Sequence, residues 1–236
     1  PYETYARYHE RFGDTFVVDA INGRIHVTCD PEGVRQICAA DPDAFAPFGT
    51  DAVAPLLGEH SIFMMAGARH RRERKLIMPA FHGRRMRLYG ERIRALARGH
   101  VEALTPGEET SAHALGMSVA LDVILSIVFG ATDERERREI VAAIERTTGE
   151  LKPWMLFAPP LRHAPLARRR WRRFERERAG MREILQRRID AARATPEGDS
   201  ILHQLIEARD EEGGQLGDDE ISDELVTLLF AGHETT

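Results

Sequence analysis

The chain ends on Ala231-Gly232-His233-Glu234-Thr235-Thr236, where an acid and an alcohol stand side by side just after two small residues. A glycine inside a helix costs about 1 kcal/mol relative to alanine. The Thr235 hydroxyl can turn back to the Ala231 carbonyl, a bond that tends to bend helices. Small residues let a flat ligand approach the backbone, and Glu234 with Thr235 can relay protons beside it. The competing reading is a fraying helix end, with glycine as its cap and the polar groups in solvent.

A second pair is His70 and Arg74, within Gly67-Ala68-Arg69-His70-Arg71-Arg72-Glu73-Arg74-Lys75-Leu76. Residues four apart project from one helix face, with side-chain bases about 6 Å apart. Two cations on one face suit an anionic ligand carrying two carboxylates. The competing reading is a solvated basic face in which Glu73 screens its neighbours.

The elements that must position these residues are mostly helical. Thr15 to Val18 and Arg24 to Thr28 are β-branched runs flanking Asn22-Gly23, a pair suited to a tight hairpin turn. Asp30-Pro31-Glu32 reads as a helix start, with Val34 and Ile37 as the buried face. Pro42 to Gly58, rich in Gly, Pro and aromatics, reads as a long loop. Leu115, Val119, Val123 and Ile127 recur at helical spacing and run into Gly130 as a C-cap. Trp171, Phe174, Met181, Leu185 and Ile189 mark one apolar stripe on a very basic helix. The chain breaks at Thr195-Pro196-Glu197-Gly198, and Ser200 to Arg209 forms a further helix. After Gly213-Gly214, the acids Asp218-Asp219-Glu220 open the last helix, where the dipole favours them. Ile221, Leu225, Leu228 and Leu229 carry its buried face. The expected fold is mainly α with a small N-terminal β-hairpin, over a single domain spanning 1–236.

Composition sets outer limits. At 42% hydrophobic and 30% charged, the chain can bury an ordinary core and is not of disordered composition. The net charge of -5 gives no overall basic bias toward nucleic acid. The two cysteines, Cys29 and Cys38, lack CxxC or paired-His spacing, so neither a disulfide framework nor a zinc site is expected and a reducing compartment is. The longest apolar stretch, Leu115 to Phe129, contains Asp122 and falls short of the roughly 20 residues of a membrane helix. No signal peptide is visible. A cytoplasmic, bacterial-like protein is expected, with an upstream anchor left open because the chain begins at Pro1.

The terminal motif resembles the (Ala/Gly)-Gly-x-(Asp/Glu)-Thr-(Thr/Ser) motif in the long central helix of cytochromes P-450. The Gly67–Leu76 segment, with Pro79-Ala80-Phe81 after it, is similar to the family's third helix, where a His/Trp-x-x-x-Arg pair holds a heme propionate. Hairpin, short helix, variable loop, propionate helix and oxygen helix follow in the family's order from about Thr15 to Thr236. The resemblance implies a truncated cytochrome P-450 fold and heme b as cofactor. It implies a monooxygenase that inserts one atom of dioxygen into an apolar organic substrate, using electrons from a ferredoxin, flavodoxin or flavoprotein reductase. By the same resemblance, His70 and Arg74 contact heme, and Ala231 and Gly232 leave room for dioxygen. Thr235 hydrogen-bonds the oxygen being activated, and Glu234 delivers protons. Phe45 to Phe63 covers the substrate. Ile62, Phe63, Trp154, Phe157, Leu228 and Phe230 approach it. Arg71, Arg72 or Lys75 would dock the electron donor.

The sequence departs from the family in one respect. The Glu-x-x-Arg helix and the Phe-x-x-Gly-x-x-x-Cys-x-Gly loop, whose cysteine ligates iron, are absent, and neither Cys29 nor Cys38 has that context. The metal ligand is thus expected beyond Thr236, and the 236-residue chain alone is expected to be inactive. Two other function classes stand beside this one. Arg168-Arg169-Arg170-Trp171-Arg172-Arg173 with Arg69 to Lys75 fits a helical nucleic-acid binder, although no nucleic acid partner is expected under the P-450 resemblance. A non-enzymatic helical protein binding a ligand or partner through the same apolar pocket is the third.

Overall fold

The computed structural model describes residues 2–20, 23–130, 133–158, 161–162 and 164–233. They fall into two compact units, Pro1–Gly49 and Thr50–Thr236.

In the first unit, helix α1 (Tyr2–Phe12) precedes strands β1 (Thr15–Ala20) and β2 (Gly23–Thr28), paired antiparallel from Thr15↔Thr28 to Ala20↔Gly23. The register ends at the pair Ala20↔Gly23. Gly23, at φ 130°, therefore opens β2 rather than closing the turn; Asn22 lies outside the described residues. Phe16 is buried under Tyr8, whose ring meets it edge-on at 5.8 Å. Cys29, His9 and Asp14 tie the strand end to α1. The thiol donates to the Asp14 carbonyl at 3.3 Å, and His9 pairs with the Asp14 carboxylate at 3.3 Å.

Helix α2 (Pro31–Ala39) starts as its sequence dictates: the Asp30 carboxylate accepts from the Gly33 amide at 2.8 Å, and Pro31 takes the first turn. Its expected apolar face is not covered, for Val34 and Ile37 are both exposed. Phe16 is the one buried hydrophobic among the described residues of this unit, so α2 has no apolar layer within it to pack against.

The second unit is a helical assembly. Helix α3 (Thr50–Leu57) is followed by a 3₁₀ turn at Ile62–Met64, then α4 (Gly67–Ile77), a second 3₁₀ turn at Met78–Phe81, and α5 (Arg84–Glu102). The expected loop from Pro42 to Gly58 is thus corrected: its second half is α3. Eight residues with Pro55 inside make too short a helix to be stable by propensity. It exists because Leu56 is buried against Met155 and Phe174.

Helix α6 (Ala112–Val123) widens into a π turn at Ile124–Val128, closed by the Phe129 amide on the Ile124 carbonyl at 3.3 Å. Ile124 through Phe129 are all buried. A regular helix turning 100° per residue cannot hide six consecutive side chains on one face, and the wider turn helps by changing the register. Phe129 is its C-cap, and the expected cap residue Gly130, at φ 64°, takes the left-handed position just after it. Of the four residues expected as this helix's core face, Ile127 is buried and Leu115, Val119 and Val123 are half-buried.

Then come α7 (Glu134–Glu150), α8 (Pro153–Phe157) and the 30-residue α9 (Pro165–Ala194). The basic character of α9 is largely spent on its neighbours. Arg146–Glu177, Arg187–Glu139, Arg188–Glu136 and Arg173–Glu150 join it to α7. Beneath them Phe174, Met181, Leu185 and Ile189 form the expected buried stripe, with Trp171 half-buried. Ser200 caps α10 (Ile201–Glu207) by accepting from the His203 amide.

Helix α11 (Asp218–His233) packs on α9, the π turn, α3, α6 and α10. Ile221, Leu225 and Leu229 are buried as expected and Leu228 is half-buried; Ser222, Asp223, Glu224, Val226 and Thr227 are buried as well. A helix enclosed on all sides sits inside a core rather than on its surface. No helix among the described residues is long and apolar enough to cross a membrane.

Candidate functional site

Along α4, most basic residues are committed to the protein. Arg69 Nη2 lies 2.8 Å from His60 Nδ1. Arg72 donates to Asp210 at 2.8 Å and to Glu73 at 3.0 Å, and Lys75 pairs with Glu211 at 3.0 Å. Glu73 does not screen a solvated face: it is 1% exposed, and its Oε2 has no hydrogen-bond partner among the described residues. Burial pushes its carboxyl above the ordinary range. The Glu220 carboxylate adds to the rise, and Arg72 and Arg69 oppose it.

His70 and Arg74 differ from these neighbours. Neither side chain has a hydrogen-bond or ion-pair partner among the described residues. His70 is half-buried and Arg74 exposed, where it lines a shallow groove with Met78, Pro79 and His82. The pair therefore offers two donor groups to a ligand without breaking an internal contact. An imidazole and a guanidinium on one helical face fit the two carboxylates of a heme.

The commitments of α4 bear on electron-donor docking. Of the three cations offered for it, Arg72 is an internal bridge to Asp210 and to the Gln215 carbonyl, so it is not a free docking point. Among the described residues, Lys75 holds only an exposed ion pair. Arg72→Ala should lower stability by about 1–3 kcal/mol, because the buried Glu73 loses its hydrogen bond. Lys75→Ala should change it by less than about 1 kcal/mol. Urea midpoints of the two variants check this, and equal losses would contradict it.

At the end of α11, Ala231 is exposed. A Cβ on Gly232 would meet Ile124 at 3.0 Å, so the glycine lets α11 lie against the π turn. Glu234, Thr235 and Thr236 lie outside the described residues.

The expected substrate residues divide between core and surface. Ile62 is half-buried against the main core, while Phe63 is 57% exposed. Trp154 packs on the Leu56–Met155–Phe174 cluster. Half-buried Phe230 touches that cluster and the main core, and so joins the two. Leu228 packs on the main core. Phe157 ends α8, and its side chain lies outside the described part of the structure. The span 45–63 is not a continuous loop over a pocket, since α3 and the start of the 3₁₀ turn lie within it.

Sequence reasoning missed the buried carboxylates Asp223 and Glu224. Burial pushes Asp223 up, and pushes Glu224 up to about 7 with the Glu73 and Asp223 charges adding to the rise. The signal was present in Leu225-Val226-Thr227-Leu228-Leu229-Phe230: a helix apolar all round is buried all round. Acids within such a helix must be paired or hydrogen-bonded.

The Arg168–Arg173 run, the basis for the nucleic-acid reading, directs Arg170 and Arg173 to Glu150.

Comparisons with known proteins agree with this architecture. A protein named cytochrome P450 135A1 from Mycobacterium tuberculosis is 33% identical over 97% of this chain and 52% of its own length. One named cytochrome P450 138 from Mycobacterium bovis is 27% identical over 98% of this chain and 52% of its own. The chain thus spans about half the length of the curated relatives it matches. A retinoic acid-bound cyanobacterial CYP120A1 structure shares the fold with a TM-score of 0.75 at 23% identity, covering 98% of this chain and 51% of that one. The Cytochrome P450 family model matches residues 1–236, so the chain belongs to the cytochrome P450 family.

Proposed function

We propose that this chain is the N-terminal portion of one catalytic domain, a heme-dependent monooxygenase that inserts one atom of dioxygen into an apolar organic substrate. The observation that carries the reading is the pair His70 and Arg74, which have no partner among the described residues on a helix whose Arg69, Arg72 and Lys75 are all engaged. Heme, when bound, supplies the centre at which dioxygen is activated with two electrons from a ferredoxin, flavodoxin or flavoprotein reductase.

The chain's own residues would do four things. His70 and Arg74 hold the two propionates. Gly232 lets α11 seat closely on Ile124, and exposed Ala231 leaves the helix surface low beside the cofactor. Thr235 would hydrogen-bond the oxygen being activated, and Glu234 would help deliver protons to it. Ile62, Phe63, Trp154, Phe157 and Phe230 present apolar surface to the substrate, Phe63 being the most open of those with a described side chain. The iron's thiolate ligand would come from sequence after Thr236, and the protein would work in the cytoplasm.

The test expresses the chain with the coding sequence that follows Thr236. Reduced protein treated with carbon monoxide should give the red-shifted Soret band of a thiolate-ligated heme. The His70→Ala/Arg74→Ala double variant should lose heme to excess apomyoglobin at least about tenfold faster than the parent, having lost two charge-assisted contacts. A reading frame that stops at Thr236 with no heme uptake overturns the proposal. Equal heme-loss rates in parent and double variant would remove His70 and Arg74 from it.

A further inference from the structure

The segment from Gly58 to Phe63 connects α3 to the 3₁₀ turn, and side chains of α11 hold it. The His60 amide donates to Asp223 Oδ2 at 3.0 Å, and the Ile62 amide to Glu224 Oε1 at 2.5 Å. The intervening Ser61 hydroxyl is bonded to the Thr227 hydroxyl at 2.7 Å, and it accepts from the Phe63 amide at 3.3 Å. Gly58 sits so close to Asp223 that a Cβ there would overlap its carboxylate, and its φ of 93° is one that favours glycine.

The match follows from backbone geometry. Ser61 is extended, at φ −63° and ψ 139°, so the amides on either side of it can face one surface. Asp223, Glu224 and Thr227 fall at i, i+1 and i+4 of α11, and present two acceptors and a hydroxyl to that surface. Two outer contacts brace the staple: Arg182 of α9 pairs with Asp223, and Arg69 of α4 with His60.

All four residues at the centre of this arrangement are closed to solvent: Ser61 and Asp223 are 0% exposed, Glu224 2% and Thr227 3%. Buried charges of this kind are costly, and apolar residues of similar volume are often as stable or more so. Their effect here is a fixed path for the chain that ends in Ile62 and Phe63. Ile62 leans on the main core, and Phe63 projects its ring outward at 57% exposed.

We infer that Asp223 and Glu224 are positioning residues that fix Ile62 and Phe63, and through them set which apolar chain lengths the substrate pocket accepts. The selection role rests on the monooxygenase reading above; the positioning role does not. Neither acid touches substrate; each acts through the backbone amide it holds.

The experiment uses the heme-loaded protein with the sequence beyond Thr236, and the variants Glu224→Gln, Glu224→Leu and Asp223→Leu. Amide hydrogen exchange over residues 58–64, read by mass spectrometry, reports the staple independently of heme. Glu224→Leu and Asp223→Leu should accelerate exchange there by about tenfold or more, the scale of one lost hydrogen bond to a charged group. Glu224→Gln keeps an acceptor oxygen and should stay near the parent rate, which separates loss of the contact from loss of the fold. The pocket is read with n-alkylimidazoles of four to twelve carbons, by the Soret change on binding. The Leu variants should flatten the parent's preference among these lengths, while Glu224→Gln keeps it.

Unchanged exchange in both Leu variants overturns the positioning role. Accelerated exchange with an unchanged length preference overturns the selection role and leaves a purely structural staple. A parent that binds heme but none of the alkylimidazoles overturns the pocket reading itself, and the selection role with it.

Discussion

Phe174→Ala is expected to lower the free energy of unfolding by about 3–5 kcal/mol, the range for removing a fully buried aromatic ring. Phe174 is 0% exposed and lies where α9 meets α3 and α8. Leu56 and Met155 close over its ring, the Trp171 ring sits 5.3 Å away, and Trp154 and Phe230 border the same cluster. That cluster is small, and among the described residues it holds no second fully buried ring that could close the hole. The loss should therefore reach α3, a helix too short to persist without its packing, and through it the segment that α11 staples. Denaturant midpoints compared with Phe63→Ala decide the matter. Phe63 is exposed, and its truncation should fall within about 0.5 kcal/mol of the parent. A Phe174→Ala loss below about 1 kcal/mol would mean that the cluster collapses freely around the vacancy.

The second large effect is a dependence of stability on pH. The Glu224 carboxyl titrates at about 7 in the folded protein against 4.5 for an ordinary glutamate, chiefly because it is buried. Between those values the native state holds a proton that the unfolded chain has released, so stability falls as pH rises from about 4.5 to 7 and then levels off. The integrated change from this one group is about 3 kcal/mol. Glu224→Gln removes the titration while keeping an oxygen for the Ile62 amide. The variant should lie within about 1 kcal/mol of the parent near pH 5 and exceed its stability by up to about 3 kcal/mol at pH 8. Asp223 and Glu73 are also shifted upward by burial and slope the same way, but both are present in parent and variant and so leave the difference largely to Glu224. Urea unfolding at pH 5, 6, 7 and 8 reads that difference directly; a gap that stays constant with pH would mean Glu224 is ionised throughout.

Features that depend on a few neighbouring residues are legible in the chain read alone. The Asp30-Pro31 start of α2, the Ser200 start of α10, the acids at the head of α11 and the Phe174–Ile189 stripe of α9 are all local in this sense. So is the i, i+4 placement of His70 and Arg74 on α4, since helical spacing alone puts them on one face.

Whatever depends on what lies across from a residue came from the packing of distant parts of the chain. It made α3 out of a stretch that reads as loop, because Leu56 finds Met155 and Phe174 only when distant parts of the chain meet. It put Gly23 at the first position of β2, because pairing register belongs to both strands together. It left Val34 and Ile37 of α2 exposed, because an apolar face is buried only where another layer exists to cover it. And it closed Glu73, Asp223 and Glu224 away from water. A carboxylate in a sequence reads as surface, since the free energy of burying one is recovered only through partners such as the amides of His60 and Ile62, more than 160 positions away.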